Sequence, residues 1–295
     1  MDATSDLSDR FLQAVTAIDA GDLAALETIL SSHPHLATGR LEGSPQWLRA
    51  QAGDALDGFF ARPYLLWFVA EDPARRGTLP DNIVEIARAI IGAARSAGPA
   101  TLQEQLDYTL RLVCWSEVAA ARGAQIPLID LLVDEGASPA AEVNNALVNG
   151  HTRAAEHLLD RGGQLTFAAA VCLGRWADMD RMAPDATPEQ RRFAFVLAAL
   201  NGRAESLRRM LALGVDVNRP SEVLYSHGTP LHHAVCSGSL DAVKVLVESG
   251  ADLDRPDTAW NGTPLGWARH YVETAAPDRK AGYARIAAWL QGAVH

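Results

Sequence analysis

Apolar residues recur along this chain as pairs of short helical stripes, each pair divided by a glycine. The clearest pair lies in Gly228 to Asp254, GTPLHHAVCSGSLDAVKVLVESGADLD. Leu231, Ala234 and Val235 give one apolar face at helical spacing, and Val243, Leu246 and Val247 give a second. Thr229 and Pro230 open the first stripe, Gly238 breaks the chain after it, and Gly250 closes the second. Helices this short do not hold in water alone. Each must bury its apolar face on a neighbour, so one such pair predicts more.

The same pattern is found elsewhere. Phe11, Ala14, Val15 and Ile18 precede Gly21, with Leu23, Leu26, Ile29 and Leu30 after it. A second pair opens at Arg62-Pro63-Tyr64-Leu65-Leu66, runs to about Val69, and resumes as Ile83, Ile86, Ala87, Ile90 and Ile91. The third predicts a long helix over 102–121 and another from Ile126 to Asp134. Pairs follow at 141–163, 165–187 and 189–219, then the clearest one, then a last pair reopening at Gly262-Thr263-Pro264-Leu265 and ending in a helix over 281–291. Three segments interrupt the period, at 38–61, 70–82 and 270–279. The first carries Gly39, Gly43, Pro45, Gly53 and Gly58 but also Trp47, Phe59 and Phe60, aromatics out of place in a free linker. It is expected to be ordered and folded back over the helices, with a short helix at 46–52.

Thr229, Pro230, Leu231, His232 and Ala234 stand as a TPLHxA opening, with Gly250, Ala251 and Asp252 as a closing GAD. This stretch resembles the ankyrin repeat. Gly21, Gly150, Gly174, Gly202 and Gly238 occupy equivalent breaks, and the steps of 28 and 36 residues around Gly202 bracket the family period of about 33. The resemblance implies an all-α, ankyrin-type solenoid of about eight helix-turn-helix units, one domain over 1–295, with the three insertions decorating it. It also implies a binding scaffold that engages a protein partner through a concave groove and loop tips. His232 would then link neighbouring repeats by hydrogen bonds rather than hold a metal.

Charge narrows the partner. Lys and Arg total 26 against 36 Asp and Glu, a net charge of −10, and Lys244 and Lys280 are the only lysines. A phosphate-tracking surface or general binding to anionic lipid is not expected, and a basic or amphipathic protein patch is. No apolar run reaches membrane-spanning length, and the opening MDATSDLSDR is unlike a secretion signal. A monomer in the cytoplasm is the expectation.

Catalytic and cofactor chemistry finds little support. Cys114, Cys172 and Cys236 form no CxxC pair, and no GxGxxG or GxxxxGK[ST] occurs, so no metal and no cofactor is expected. Asp178, Asp180 and Asp185 read as a solvated face. The aromatics carry more information. In the scaffold reading, Trp67, Trp115, Val148, Asn149, Leu200, Asn201 and Ser237 line the groove, with Tyr225, His227 and Trp260 at loop tips. A second reading places a small-molecule or enzymatic pocket under 38–61. Arg62, Tyr64, Trp67, Trp115 and Glu117 would line it, with Trp47, Phe59 or Phe60 as lid and a desolvated Glu117 as acid or base. Equally, Trp67 and Trp115 could simply fill space left by distorted repeats, while Trp267 and Trp289 read as core.

Overall fold

The computed structural model describes residues 3–43, 45–70 and 78–293. It is all-α: among the described residues the β-structure amounts to an isolated bridge between Arg40 and Tyr64. The chain divides into two compact units, 1–164 and 165–295.

In the N-terminal unit, α1 (Ala3–Ala20) and α2 (Leu23–Ser32) form the first pair. Gly21 makes the turn at φ 69°, and Asp22 caps α2 by accepting from Ala25 N–H at 3.0 Å. The segment after it contains α3 (Gln46–Ala52), where the short helix was expected. The second pair departs from the pattern. Its first element is a 3₁₀ turn over Leu65–Val69, with all five residues buried, and its second is α4 (Ile83–Ala97). Between Pro63 and Ala70 there is room for little more than one tight turn, where i→i+3 bonds replace an α-ladder. Most of the 70–82 insertion lies outside the described residues.

The expected helix over 102–121 breaks into α5 (Leu102–Trp115) and α6 (Glu117–Ala121). Ser116 leaves helical geometry at ψ 103°, donates to the Ala70 carbonyl at 2.6 Å, and caps α6 through Ala119 N–H. A serine able to satisfy backbone groups both ways makes the break cheap. Then come α7 (Gln125–Asp134), α8 (Glu142–Val148) and α9 (Thr152–Asp160). Two layers result: α1, the 65–69 turn, α5 and α8 pack in sequence, as do α2, α4, α7 and α9.

The C-terminal unit is more regular. Its pairs are α10 (Phe167–Cys172) with α11 (Trp176–Met182), α12 (Pro188–Leu200) with α13 (Ala204–Ala212), α14 (Pro230–Ser237) with α15 (Leu240–Glu248), and α16 (Pro264–Thr274) with α17 (Pro277–Ala293). Prolines 188, 230 and 264 each occupy the first helical turn behind a threonine cap. Residues 270–279, read from sequence as an insertion, are helical apart from 275 and 276. Tyr271 and Tyr283 stack at 4.9 Å across that bend, which joins the helices more tightly than the residue types suggest.

His232 explains how α14 is tied to the next repeat. Its Nδ1 accepts from Thr229 N–H at 3.1 Å, which leaves Nε2–H to donate to the Gly262 carbonyl at 2.9 Å. Burial holds its pKa below the usual histidine value, so the neutral ring suits this fixed pattern. Val243 and Leu246 of α15 are fully buried, each stabilising the stack by about 1.5–3 kcal/mol.

Candidate functional site

Two aromatic clusters stand out, one in each unit. In the N-terminal unit the 38–61 segment lies on α5. Leu41 N–H donates to the Pro63 carbonyl at 2.9 Å, Gln105 reaches the Ala37 carbonyl at 3.0 Å, and Tyr108 Oη donates to the Phe59 carbonyl. Beneath it Trp67 is only 4 % exposed. Tyr108 lies 4.3 Å from its ring, Tyr64 5.7 Å and Phe60 6.0 Å. Arg40 extends over both Tyr64 (4.3 Å) and Trp67 (5.1 Å), and its guanidinium also pairs with Glu104. Glu104 in turn accepts from Tyr64 Oη at 2.9 Å. Trp67 Nε1 is buried without a hydrogen-bond partner among the described residues, a cost of about 1–3 kcal/mol that its ring burial offsets.

The residues proposed from sequence to line a pocket here are placed unevenly. Tyr64 and Trp67 are buried together. Trp115 is half-buried, edge-on to Phe59 at 5.7 Å. Arg62 is exposed, at φ 49°, and pairs with Glu42. Glu117 is exposed in the first turn of α6, so the desolvation that would make it an acid–base group is missing. Trp47 contacts Phe68 at 6.5 Å and donates to Ser8 Oγ at 3.4 Å. Arg40, Glu104 and Tyr108 organise this cluster and were not picked out from sequence, because their partners lie 22 to 64 residues away.

The C-terminal cluster is built around a buried carboxylate. Asp257 is 3 % exposed and accepts four hydrogen bonds: from Ala259 N (2.8 Å), Trp260 N (2.6 Å), Gly262 N (2.8 Å) and Trp267 Nε1 (2.9 Å). Burial opposes ionisation, but these donors outweigh it and bring the carboxyl down to about 2. The loop is thereby wound tightly around the carboxylate, with Asn261 at φ 56°. It presents Trp260 with 70 % of its surface exposed. The Trp260 ring rests on His227 (4.9 Å) and Trp267 (5.7 Å). Tyr225, 46 % exposed, lies 6.2 Å from His227, and Val223 beside it is also exposed. The structure thus brings together the three sequence-proposed tip residues, Tyr225, His227 and Trp260. Trp267, read as core, is half-buried and belongs to this surface.

Asn149, Asn201 and Ser237 precede the three turn glycines 150, 202 and 238 and are half-buried. Their side chains hydrogen-bond back to Asn145, Leu197 and Ala234 carbonyls at 2.9, 2.9 and 2.6 Å, which stiffens equivalent helix ends. Val148 and Leu200 beside them are half-buried. His233 is 2 % exposed and faces the Tyr225 carbonyl at 3.2 Å; burial first, then its histidine neighbours, push its pKa down to about 4. No group of three His, Cys, Asp or Glu side chains able to hold a metal occurs among the described residues. Nor is any helix among them long and apolar enough to cross a membrane.

Stacked helix pairs with short caps and projecting loops define an all-α repeat solenoid, a class whose general role is to present surfaces to other proteins. Residues 117–257 match the family model of ankyrin repeats in three copies. Over that segment the chain is similar to ankyrin repeats, with further helices before it. A solved structure similar to it is the human ASB11 ankyrin repeat domain, at 19 % identity and TM-score 0.33, over 68 % of this chain and 92 % of that one. Among curated proteins no relative matches.

Proposed function

We propose that this chain is a non-enzymatic scaffold that engages a protein partner through the loop surface of Tyr225, His227 and Trp260. The observation that carries the reading is Trp260: a large apolar ring, mostly exposed, on a backbone held by a buried carboxylate. A pre-ordered exposed tryptophan loses little entropy on binding and offers more contact area than any other side chain, the properties of a binding hot spot. The groove residues Asn201 and Ser237 of the same unit would extend the contact at rigid helix ends. Three cysteines without disulfides suit a reducing compartment, and we place the scaffold in the cytoplasm as a monomer. A small-molecule or catalytic site under 38–61 has less support, since the faces of Trp67 are occupied by protein side chains and Glu117 is exposed.

The test is site-specific photo-crosslinking. A benzophenone amino acid at Tyr225 is expected to capture a defined partner, while the same probe at exposed Arg88 on α4 captures none. Trp260→Ala should weaken that capture about 30-fold or more, as loss of a hot-spot residue worth ~2 kcal/mol requires. Equal capture from both positions would refute the reading.

A further inference from the structure

Beside Trp260 the surface opens into a groove of about 430 Å³ lined by Trp260, Gly262, Gly266, Trp267, His270 and Tyr271. Its walls are ring systems set steeply to each other: Trp260 and Trp267 at 61°, Trp267 and Tyr271 at 75°. Two glycines keep the space between them open. A Cβ on Gly262 would lie 3.0 Å from Trp267 Cδ1, whereas one on Gly266 would meet nothing nearer than Thr263 Oγ1 at 3.5 Å.

From this arrangement we infer that the groove receives a cationic side chain, an arginine above a lysine, from the protein partner of the proposed scaffold. Aromatic faces carry the negative part of a ring quadrupole and attract cations, and a planar guanidinium also stacks on indole. Trp267 is strengthened for this role. Its indole N–H donates to the ionised Asp257 at 2.9 Å, which pushes electron density into the ring that forms the groove wall. The same carboxylate fixes the opposite wall through Trp260 N–H. Charge agrees: residues 250–275 carry four carboxylates against two guanidiniums, in a chain of net charge −10. One of those two, Arg255, is occupied by the Asn218 carbonyl at 3.2 Å.

The inference rests on the scaffold reading, yet can be tested without knowing the partner. The full chain, ¹⁵N-labelled, is titrated with N-acetylarginine amide and with N-acetylcitrulline amide, the neutral isostere, while the tryptophan indole N–H signals are followed. Arginine amide should shift the Trp260 and Trp267 signals, with citrulline amide about fivefold weaker, the ratio expected of an exposed cation–π contact. Gly266→Leu, which fills the groove and keeps both indoles, should abolish the shifts with an unchanged far-ultraviolet spectrum. Equal affinity for the two amides, absence of shifts, or persistence of shifts in Gly266→Leu overturns the inference. Excess arginine amide added before irradiation should also prevent the cross-link through Tyr225. A cross-link that resists it overturns the cation site and leaves the scaffold standing, whereas normal titrations without any cross-link refute the scaffold instead.

Discussion

Protonation of His233 should be the main cause of acid destabilisation between pH 7 and pH 4.5. The ring is 2 % exposed, and its Nε2–H donates to the Tyr225 carbonyl at 3.2 Å. His227 lies 6.1 Å away and Trp267 6.3 Å, and no carboxylate contributes to raising its pKa. Its pKa of about 4 lies below the 6.5 of an unfolded chain, so between these values the unfolded state binds the extra proton. Stability is therefore complete above pH 6.5 and falls as the pH drops towards 4. Integrating between pH 7 and pH 5 gives a loss of ~2 kcal/mol, a large part of the 5–15 kcal/mol typical of a domain. Asp257, titrating near 2, contributes nothing in this window, whereas His232, also depressed by burial, adds to the same trend. His233→Gln keeps an N–H for Tyr225 and removes the titration. Urea unfolding at pH 7 and pH 5 should show the wild-type loss reduced by about 2 kcal/mol in the variant, and the His233 ring should remain neutral by NMR down to about pH 4. A His233 titration near 6.5, or a variant that keeps the full wild-type slope, would refute the reasoning.

Asp257→Asn should cost about 1–3 kcal/mol and loosen the Trp260 loop, because the amide turns its NH2 group towards two of the four donors; hydrogen exchange at Trp260 N–H measures this. In the wild type the Asp257 contribution is present above pH 3.8 and is lost as the pH falls through about 2, so a second acid step should disappear in the variant. Gly163→Ala should destabilise by about 1–3 kcal/mol in thermal melts, since its Cβ would lie 2.6 Å from Val143 Cγ2 and 2.7 Å from the Leu158 carbonyl. Gly92→Ala, with no atom within 4 Å, should instead stabilise α4 by about 0.5–1 kcal/mol. Cys114 and Cys172 are buried, with thiol pKa values raised by burial, to about 12 for Cys172, so neither should react with a disulfide reagent before unfolding.

The repeats were legible because their signals are local. Threonine caps, first-turn prolines and turn glycines act within a few residues, and the apolar stripes need only a period. The departures arose from distant partners. Ser116 breaks a helix because Ala70, 46 residues earlier, offers its carbonyl. Residues 270–274 continue a helix because Tyr271 stacks on Tyr283 and reaches Cys236 Sγ at 3.2 Å. Neither contact leaves a trace in spacing, since loop closure brings the partners together only after the stack has formed.

The two tryptophan clusters separate residue type from residue role. Trp67 is expected to bind from its place on a groove-lining helix and Trp260 from its place on a loop tip, yet one is 4 % exposed and the other 70 %. What decides is the return of the chain. Around Trp67, Arg40 and Phe60 come back from the insertion and Tyr108 from α5, so every approach to the ring is covered. Around Trp260 the returning group is Asp257, only three residues away, and it takes the backbone N–H rather than the ring. An aspartate that accepts main-chain donors from a loop points the loop's apolar side chain outward, because the polar interior of the turn has no room for it. A sequence in which Asp precedes a tryptophan by three residues and a glycine by five, ahead of a TPL helix start, therefore carries a readable signal for an exposed, rigid aromatic tip.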